Sequence, residues 1–299
     1  MKKIQIKFWL ICLIGICYFS CNNDDGDVLF TESPAERIAK RNSELLGLLT
    51  SESQGYKAVY FTKNDEFGGF TYYMKFNENG TVTMTSDFDA ETAIESSSYE
   101  VRLGTTNELV FTTRNHIQKV SNPSFSGLVG TGFKGTSVFQ YFSNDNGVLT
   151  FKDVRNSESG FLVLTPTGFS DFDTESVLKA EASLAQRQNI LPTVTTSVFQ
   201  LLSIQNPNGI FNFDFNYDSV RLYASPRIAL DNGEVAEFNF GLSFTEDGLF
   251  ISPSLDFQGE TYQNFIYDTA SVSYTHLTLP TMSTTWRWGG CGGGGWGGG

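Results

Sequence analysis

Cysteine, tryptophan and histidine are all scarce in this chain of 299 residues, and each scarcity excludes something. Of the four cysteines, Cys12 and Cys17 lie in an apolar N-terminal run, which leaves Cys21 and Cys291. No disulfide framework can be built inside the globular part, so the fold must rest on core burial, which a chain of this length supplies in one or two domains. The tryptophans are Trp9, Trp286, Trp288 and Trp296, so the body has none. That removes the flat indole face on which exported β domains commonly stack sugars. The histidines are His116 and His276. A Ser-His-Asp triad needs a positioned base and a zinc site commonly needs about three ligands. The chain holds neither a Gly-x-Ser-x-Gly elbow nor a His-Glu-x-x-His run. His116, within Asn115-His116-Ile117, therefore reads as a structural residue in a loop or at a strand end. Basic residues are few as well: 20 Lys+Arg face 33 Asp+Glu, a balance of -13. Such a surface disfavours nucleic acid and anionic membrane as partners and is what keeps an exported protein soluble.

What is present begins at the N-terminus. Lys2, Lys3 and Lys7 precede an apolar stretch from Phe8 to Phe19, and Ser20-Cys21 closes it. A bilayer-spanning helix needs roughly 20 apolar residues, so this stretch has the layout of an export signal. Its Ser-Cys ending resembles a bacterial lipobox, with Tyr18 where leucine is usual. The expectation is lipidation at Cys21, which would anchor the mature chain to a membrane through its lipid; the alternative is an ordinary cleaved signal with a chance cysteine. The polar tether Asn22-Asn23-Asp24-Asp25-Gly26-Asp27 resembles the address that sends lipoproteins of Bacteroidota to the outer face of the outer membrane, or is a solvated linker.

The far end reads differently. Trp286 to Gly299 is WRWGGCGGGGWGGG, a composition unlike a flexible linker because Trp, Arg and Cys interrupt the glycines. Codons for these four residues can all be read from G-rich DNA. Val272 to Thr281, VSYTHLTLPT, resembles the translation of a common sequencing-library transposase adapter. The reading is that 272–299 is a sequencing artefact and that the natural sequence continues differently after about Ser271. Without Lys2, Lys3, Lys7 and Arg287, sixteen basic residues face 33 acidic ones, a balance of -17.

Between these ends, Ser33-Pro34-Ala35-Glu36 carries a capping residue, a first-turn proline and the acid of a capping box. Ile38, Leu45 and Leu49 follow at helical spacing, which predicts a helix over 34–50. From Gly55 the period becomes two. Tyr56–Phe61, Phe70–Phe76, Thr81–Thr85, Ser98–Leu103, Glu108–Thr113, Ser137–Phe142, Val148–Val154 and Phe161–Thr165 read as strands, with hairpin turns at Asn77–Gly80 and Asn144–Gly147. Abundant Phe and Tyr, 27 and 12, suit strand-rich cores. The fold class predicted is mainly β: a helix followed by an antiparallel barrel or sandwich over 33–170. A helical connector capped by Asp173 and stopped by Pro192 follows over 171–192. A second antiparallel region over 193–271 has strands at Ile210–Asn216, Ser219–Ala224, Val235–Phe244 and Leu249–Ile251. If truncated, that region would leave an unpaired edge.

Other chemistry is sparse. Asp171, Asp173 and Glu175 alternate as calcium ligands do, yet the glycine of a calcium loop is missing, and helix capping explains them. Tyr72, Tyr73 and Tyr141 could present aromatic faces to a sugar but fit packed strand positions. Gly68-Gly69 is a bend before a strand, not a phosphate cradle, since no helix follows. Two carboxylates can serve a glycosidase, but nothing singles out a pair. No catalytic residue, metal ligand or cofactor is assigned.

The runs Phe67-Gly68-Gly69-Phe70-Thr71-Tyr72-Tyr73-Met74-Lys75-Phe76 and Gly80-Thr81-Val82-Thr83-Met84-Thr85-Ser86-Asp87 resemble the domain-of-unknown-function family 4302 (DUF4302) of Bacteroidota lipoproteins. Arg37, Gly55-Tyr56 (with Trp usual at the second position), Tyr99-Glu100-Val101, Asn115-His116 and Ser121-Asn122-Pro123 add to it. The resemblance spans roughly residues 30 to 270 and is strongest between 55 and 123; family members run longer at the C-terminus. It implies a secreted lipoprotein, often encoded beside outer-membrane nutrient-uptake components and a zinc-peptidase-like lipoprotein, and it carries no catalytic residues. The leading expectation is thus a non-enzymatic, lipid-anchored protein of the outer membrane, partnered by transporter components. A carboxylate-dependent hydrolase on a β scaffold and a structural adhesin or assembly factor are the alternatives. Long-read resequencing of the locus is expected to replace VSYTHLTLPT and the glycine run with a different frame; an uninterrupted frame through both would overturn the artefact reading.

Overall fold

The computed structural model describes residues 32–191, 201–268 and 276–278. Two compact units are present, Met1–Arg41 and Asn42–Gly299. Helix α1 spans Pro34–Thr50. Its start is the capping box expected: Ser33 Oγ accepts from Glu36 N at 3.3 Å, and Glu36 Oε2 accepts from Ser33 N at 2.8 Å. That backbone bond also lowers the pKa of Glu36, because it favours the charged carboxylate.

Eight strands follow in the second unit: β1 Tyr56–Phe61, β2 Gly69–Phe76, β3 Thr81–Ser86, β4 Glu95–Leu103, β5 Asn107–Phe111, β6 Val138–Asp145, β7 Val148–Asp153 and β8 Phe161–Pro166. Each pairs antiparallel with the next, and β8 returns to pair with β1, from Tyr56 opposite Pro166 to Phe61 opposite Phe161. The result is a closed up-and-down barrel, a form that leaves no sheet edge. Alternation sets one residue of each pair inward. Tyr56, Ala58, Tyr60, Tyr72, Met74, Val82, Met84, Leu109, Phe139, Leu149, Phe151, Leu162 and Leu164 are all at or near zero exposure. Their rings meet edge to face: Tyr60 with Phe139 at 5.0 Å, Phe76 with Tyr99 at 5.0 Å and Phe111 with Phe139 at 6.0 Å. An eight-stranded barrel is just wide enough to be filled by side chains or to hold one small ligand. Here side chains fill it.

Both mouths are stoppered. At the end that holds the β2–β3, β4–β5 and β6–β7 turns, α1 contributes the buried Leu45 and Leu49. Tyr56 Oη donates to Leu48 O at 2.6 Å, and Asn107 Nδ2 to Asn42 Oδ1 at 3.0 Å. At the opposite end, the long β5–β6 connection forms a 3₁₀ helix, His116–Ser121, that buries Ile117 and Val120. Beside it Phe133 packs on Phe67, Phe70, Phe88 and Phe125 with centroids 4.9 to 5.9 Å apart.

Helix α2, Phe172–Ile190, connects the barrel to a second sheet. That sheet comprises β9 Leu201–Asn206, β10 Gly209–Asp214, β11 Tyr217–Asp218, β12 Tyr223–Ala224, β13 Arg227–Ala229, β14 Val235–Glu237, β15 Phe240–Phe244, β16 Gly248–Phe257, β17 Glu260–Asp268 and β18 His276–Thr278. Its order is β11-β12-β15-β16-β17-β18-β9-β10-β13-β14, antiparallel except where β18 meets β9. The three residues of β18 lie inside the adapter-like segment and stand between β17 and β9.

The eight barrel strands and both helices occur where the sequence places them. Three expectations need correction. Ser219–Ala224 is not one strand, since Asp218 Oδ1 accepts from the amides of Val220 and Arg221 and turns the chain between β11 and β12. Val235–Phe244 is broken into β14 and β15, with Phe238 N bonded to Pro226 O at 3.1 Å. The connector helix starts one residue before Asp173, with Asp171 at the cap position. Pro192 lies outside the described residues.

The second sheet lies against the barrel backbone to backbone. Gly68 N donates to Arg221 O at 2.8 Å, and a side chain on Gly68 would run into the carbonyls of Leu222 and Leu242. Glycine is needed there for the close approach, not for its dihedral freedom. Replacing Phe139 with Ala should cost about 3–5 kcal/mol of unfolding free energy, against roughly 0.5 kcal/mol for Phe142→Ala on the exposed face. Urea unfolding of both variants checks this, and similar losses would contradict a packed barrel interior.

Candidate functional site

Three polar sites stand out against this apolar frame, two buried and one open. The first lies at the barrel mouth nearest α2. Ser86 ends β3, Asp87 follows it, and His116 opens the 3₁₀ helix. A reciprocal capping box at Asn115 and Gln118 fixes that helix, and Asn115 Nδ2 also holds Ser97 Oγ at 2.8 Å. His116 Nε2 sits 2.8 Å from Ala93 O, a pure acceptor, so Nε2 carries the proton. Nδ1 then accepts from Ser86 Oγ at 3.0 Å. Burial lowers the pKa of His116, which keeps the ring neutral.

This is the hydrogen bond of a nucleophile and its base, but Ser86 and His116 are both 0 % exposed. A substrate carbonyl cannot reach Ser86 Oγ in this conformation. The pair instead ties β3 to the 3₁₀ helix that stoppers the barrel. Asp87 does not complete a triad. Its Oδ1 accepts from Thr71 N at 2.8 Å and its amide donates to Thr71 O at 3.1 Å. Burial pushes the Asp87 carboxyl up to about 6, against the opposing pull of Arg187 on α2. Nearby, the hydroxyl of Tyr72 is buried without a partner among the described residues. Desolvation, with the Asp87 and Asp89 charges, raises its pKa well above that of an ordinary phenol.

A second buried pair crosses the barrel. Tyr60 Oη donates to Asp153 Oδ2 and accepts from Thr136 N at 2.9 Å. Asp153 Oδ1 accepts from the amides of Arg155 at 2.6 Å and Asn156 at 3.0 Å. Burial raises both pKa values, most strongly that of Tyr60. Such a fully bonded network rigidifies one arrangement of β1, β7 and the β5–β6 connection.

The open site is a cleft of about 330 Å³ lined by Asn42, Ser43 and Leu46 of α1, by Glu78 and Gly80 of the β2–β3 turn, and by Tyr99, Glu100 and Val101 of β4. Gly80 makes the turn at φ +80°, and its carbonyl accepts from Tyr99 N at 2.8 Å, which holds the turn against β4. Tyr99 Oη donates to Asn77 O at 2.9 Å. Desolvation and the Glu78 charge push its hydroxyl up to about 12. Glu100 pairs with Arg102 at 3.3 Å. An apolar wall with carboxylate, amide and hydroxyl groups can bind an amphipathic ligand. Glu78 and Glu100 are both exposed at its rim.

The residues singled out from sequence are dispersed. Tyr72 and Tyr73 are buried, and Tyr141 is half-buried against Phe151 at 5.7 Å, as packed strand positions require. Asp171, Asp173 and Glu175 sit at the start of α2. There Glu175 Oε1, and neither aspartate, accepts from Ser170 N, Ser170 Oγ and Asp171 N at 2.8 to 3.0 Å. No group of three or more metal-ligating side chains occurs among the described residues. No helix among them is long and apolar enough to cross a membrane. Cys21 lies outside them. The roles of Ser86 and Asp87 escape sequence reading because their partners, His116 and Arg187, lie thirty and a hundred residues further on and no spacing announces them.

The two buried titratable groups pull stability in opposite directions with pH. Asp87 binds its proton more tightly folded than unfolded, so its contribution is greatest at low pH and is lost as pH rises through about 6. His116 is the reverse: its folded pKa is depressed, so stability falls as pH drops through its unfolded value near 6.5. Relative to wild type, Asp87→Asn should therefore lose roughly 1 kcal/mol between pH 7 and pH 5. His116→Gln should gain over the same range. Urea unfolding at both pH values checks the signs; parallel pH profiles for all three proteins would refute the assignment.

A family model for Domain of unknown function (DUF4302) matches residues 26–269, which takes in α1, the whole barrel, α2 and the second sheet through β17. No curated protein and no solved structure matches the chain. With a match over most of its length and the expected segments in place, the chain belongs to the DUF4302 family.

Proposed function

We propose that this protein is a lipid-anchored component of the cell envelope that acts by surface binding, as a non-enzymatic accessory of an outer-membrane nutrient-uptake system. The observation that carries the mode of action is the barrel interior. Tyr60, Tyr72, Phe139 and Phe151 occupy it at zero exposure, and both mouths are closed by α1 and the 3₁₀ helix. A ligand therefore meets the outside of the fold, where the α1–β4 cleft supplies apolar and hydrogen-bonding groups. The anchor reading rests on the lysine-rich start, the short apolar run and Ser20-Cys21.

One observation favours a second reading. Glu78 and Glu100 both line the cleft, the minimum that carboxylate-dependent hydrolysis requires. On that reading Glu78→Gln or Glu100→Gln would abolish turnover of a glycan substrate while leaving its binding intact.

Growth with an azide-bearing fatty acid should label the wild-type protein and leave Cys21→Ser unlabelled and released from the membrane fraction. Equal labelling of the two would remove the anchor. Affinity capture of the wild-type protein from detergent-solubilised outer membranes should bring down a transporter component. Capture of the protein alone would favour a free-standing adhesin or assembly role.

A further inference from the structure

Helix α2 is held in a manner unlike any strand of the barrel. It lies against β2 and β3 on one side and β15 and β16 on the other. Its buried face reads Phe172, Ser176, Ala180, Ser183 and Ile190, so large apolar side chains occur only at its two ends. The middle is small and polar. Ser176 Oγ and Ser183 Oγ are fully buried and have no hydrogen-bond partner among the described residues. Gln186 Oε1 is likewise unpartnered, and Glu246 Oε2, in the β15–β16 turn, reaches only Lys57 Nζ at 3.8 Å. Buried hydroxyls without partners cost free energy that exposure to water returns.

Several charged or polar bonds help keep α2 in place, among them Phe172 N to Gln54 Oε1 at 3.1 Å and Thr92 Oγ1 to Glu181 Oε1 at 3.3 Å. Lys179 Nζ meets Glu246 Oε1 at 2.9 Å, Gln186 Nε2 donates to Glu246 O at 3.1 Å, and Arg187 Nη2 donates to Phe88 O at 3.0 Å. Lys179 and Glu246 keep 39 % and 26 % of their side-chain surface exposed, so salt reaches the pair. The layers beneath also bond to each other directly. Thr71 Oγ1 of β2 donates to Phe244 O of β15 at 2.9 Å, and Gly68 joins the second sheet through Arg221.

We propose that α2 is a clasp that opens as a unit while the barrel and the second sheet keep their pairing, baring the outer face of β2 around Tyr73 and admitting water to the Arg187–Asp87 side. Local opening of this kind is expected of elements with few buried apolar contacts. Tyr73, now buried against Phe169 and Phe172, would become the apolar floor of the exposed strip.

Native-state hydrogen exchange followed by mass spectrometry on the full chain tests this. Amides of α2 should show protection roughly tenfold or more below those of β7 and β8. Raising salt from about 0.1 M to about 1 M should lower α2 protection further and leave the barrel unchanged. Lys179→Ala should lower it about two- to fivefold, again in α2 alone. Ser183→Ala, which removes an unpartnered hydroxyl, should raise it. Protection of α2 equal to that of β7 and β8 at both salt concentrations would overturn the proposal. So would a Lys179→Ala variant that loosens α2 and barrel to the same extent, since the helix would then open only with the whole fold.

Discussion

Thr71 bonds Asp87 through its backbone and Phe244 through its side chain, and that double attachment makes β2 part of two layers at once. Along this strand the inward residues Phe70, Tyr72, Met74 and Phe76 fill the barrel, while the outward Thr71 and Tyr73 are buried under β15 and α2. A strand buried on both faces tolerates no slip, because a shift of one residue would exchange the two faces. The barrel register, the position of the second sheet and the seat of α2 all depend on it. Gly68 and Gly241 follow from the same constraint, as two backbones this close leave no room for a Cβ.

Filling the barrel with aromatic side chains has a functional consequence. Closed eight-stranded barrels can hold a ligand inside; here ring contacts among Tyr60, Phe76, Phe111 and Phe139 take that volume. Binding chemistry is displaced to the surface, to the α1–β4 cleft and to whatever α2 covers. The buried polar groups serve the frame instead. Ser86 with His116, and Tyr60 with Asp153, spend their hydrogen bonds on holding the β5–β6 connection at one barrel mouth.

How much of this was legible in the sequence varies by element. Period-two patterning with Asn-Gly turns located β1 to β8 within a few residues, because each strand buries one face and the pattern reports that burial directly. The second sheet was less legible. Its strands β11, β12, β13 and β14 are two or three residues long, too short for any period to register. Turns such as the one at Asp218 are set by side-chain bonds that alternation does not reveal. The surface cleft was not legible at all, for Leu46, Glu78 and Tyr99 are unremarkable until α1 crosses the barrel end.

The sequence by itself determined the strand succession of the barrel, the capped helix over 34–50, the family and the signal-like pattern ending at Cys21, since each is written in local pattern or contiguous motif. Tertiary structure alone decided that the meander closes on itself, that its interior is full, and that His116 is sealed against Ser86. Those outcomes depend on which distant side chains share a volume. Periodicity along the chain carries no information about that.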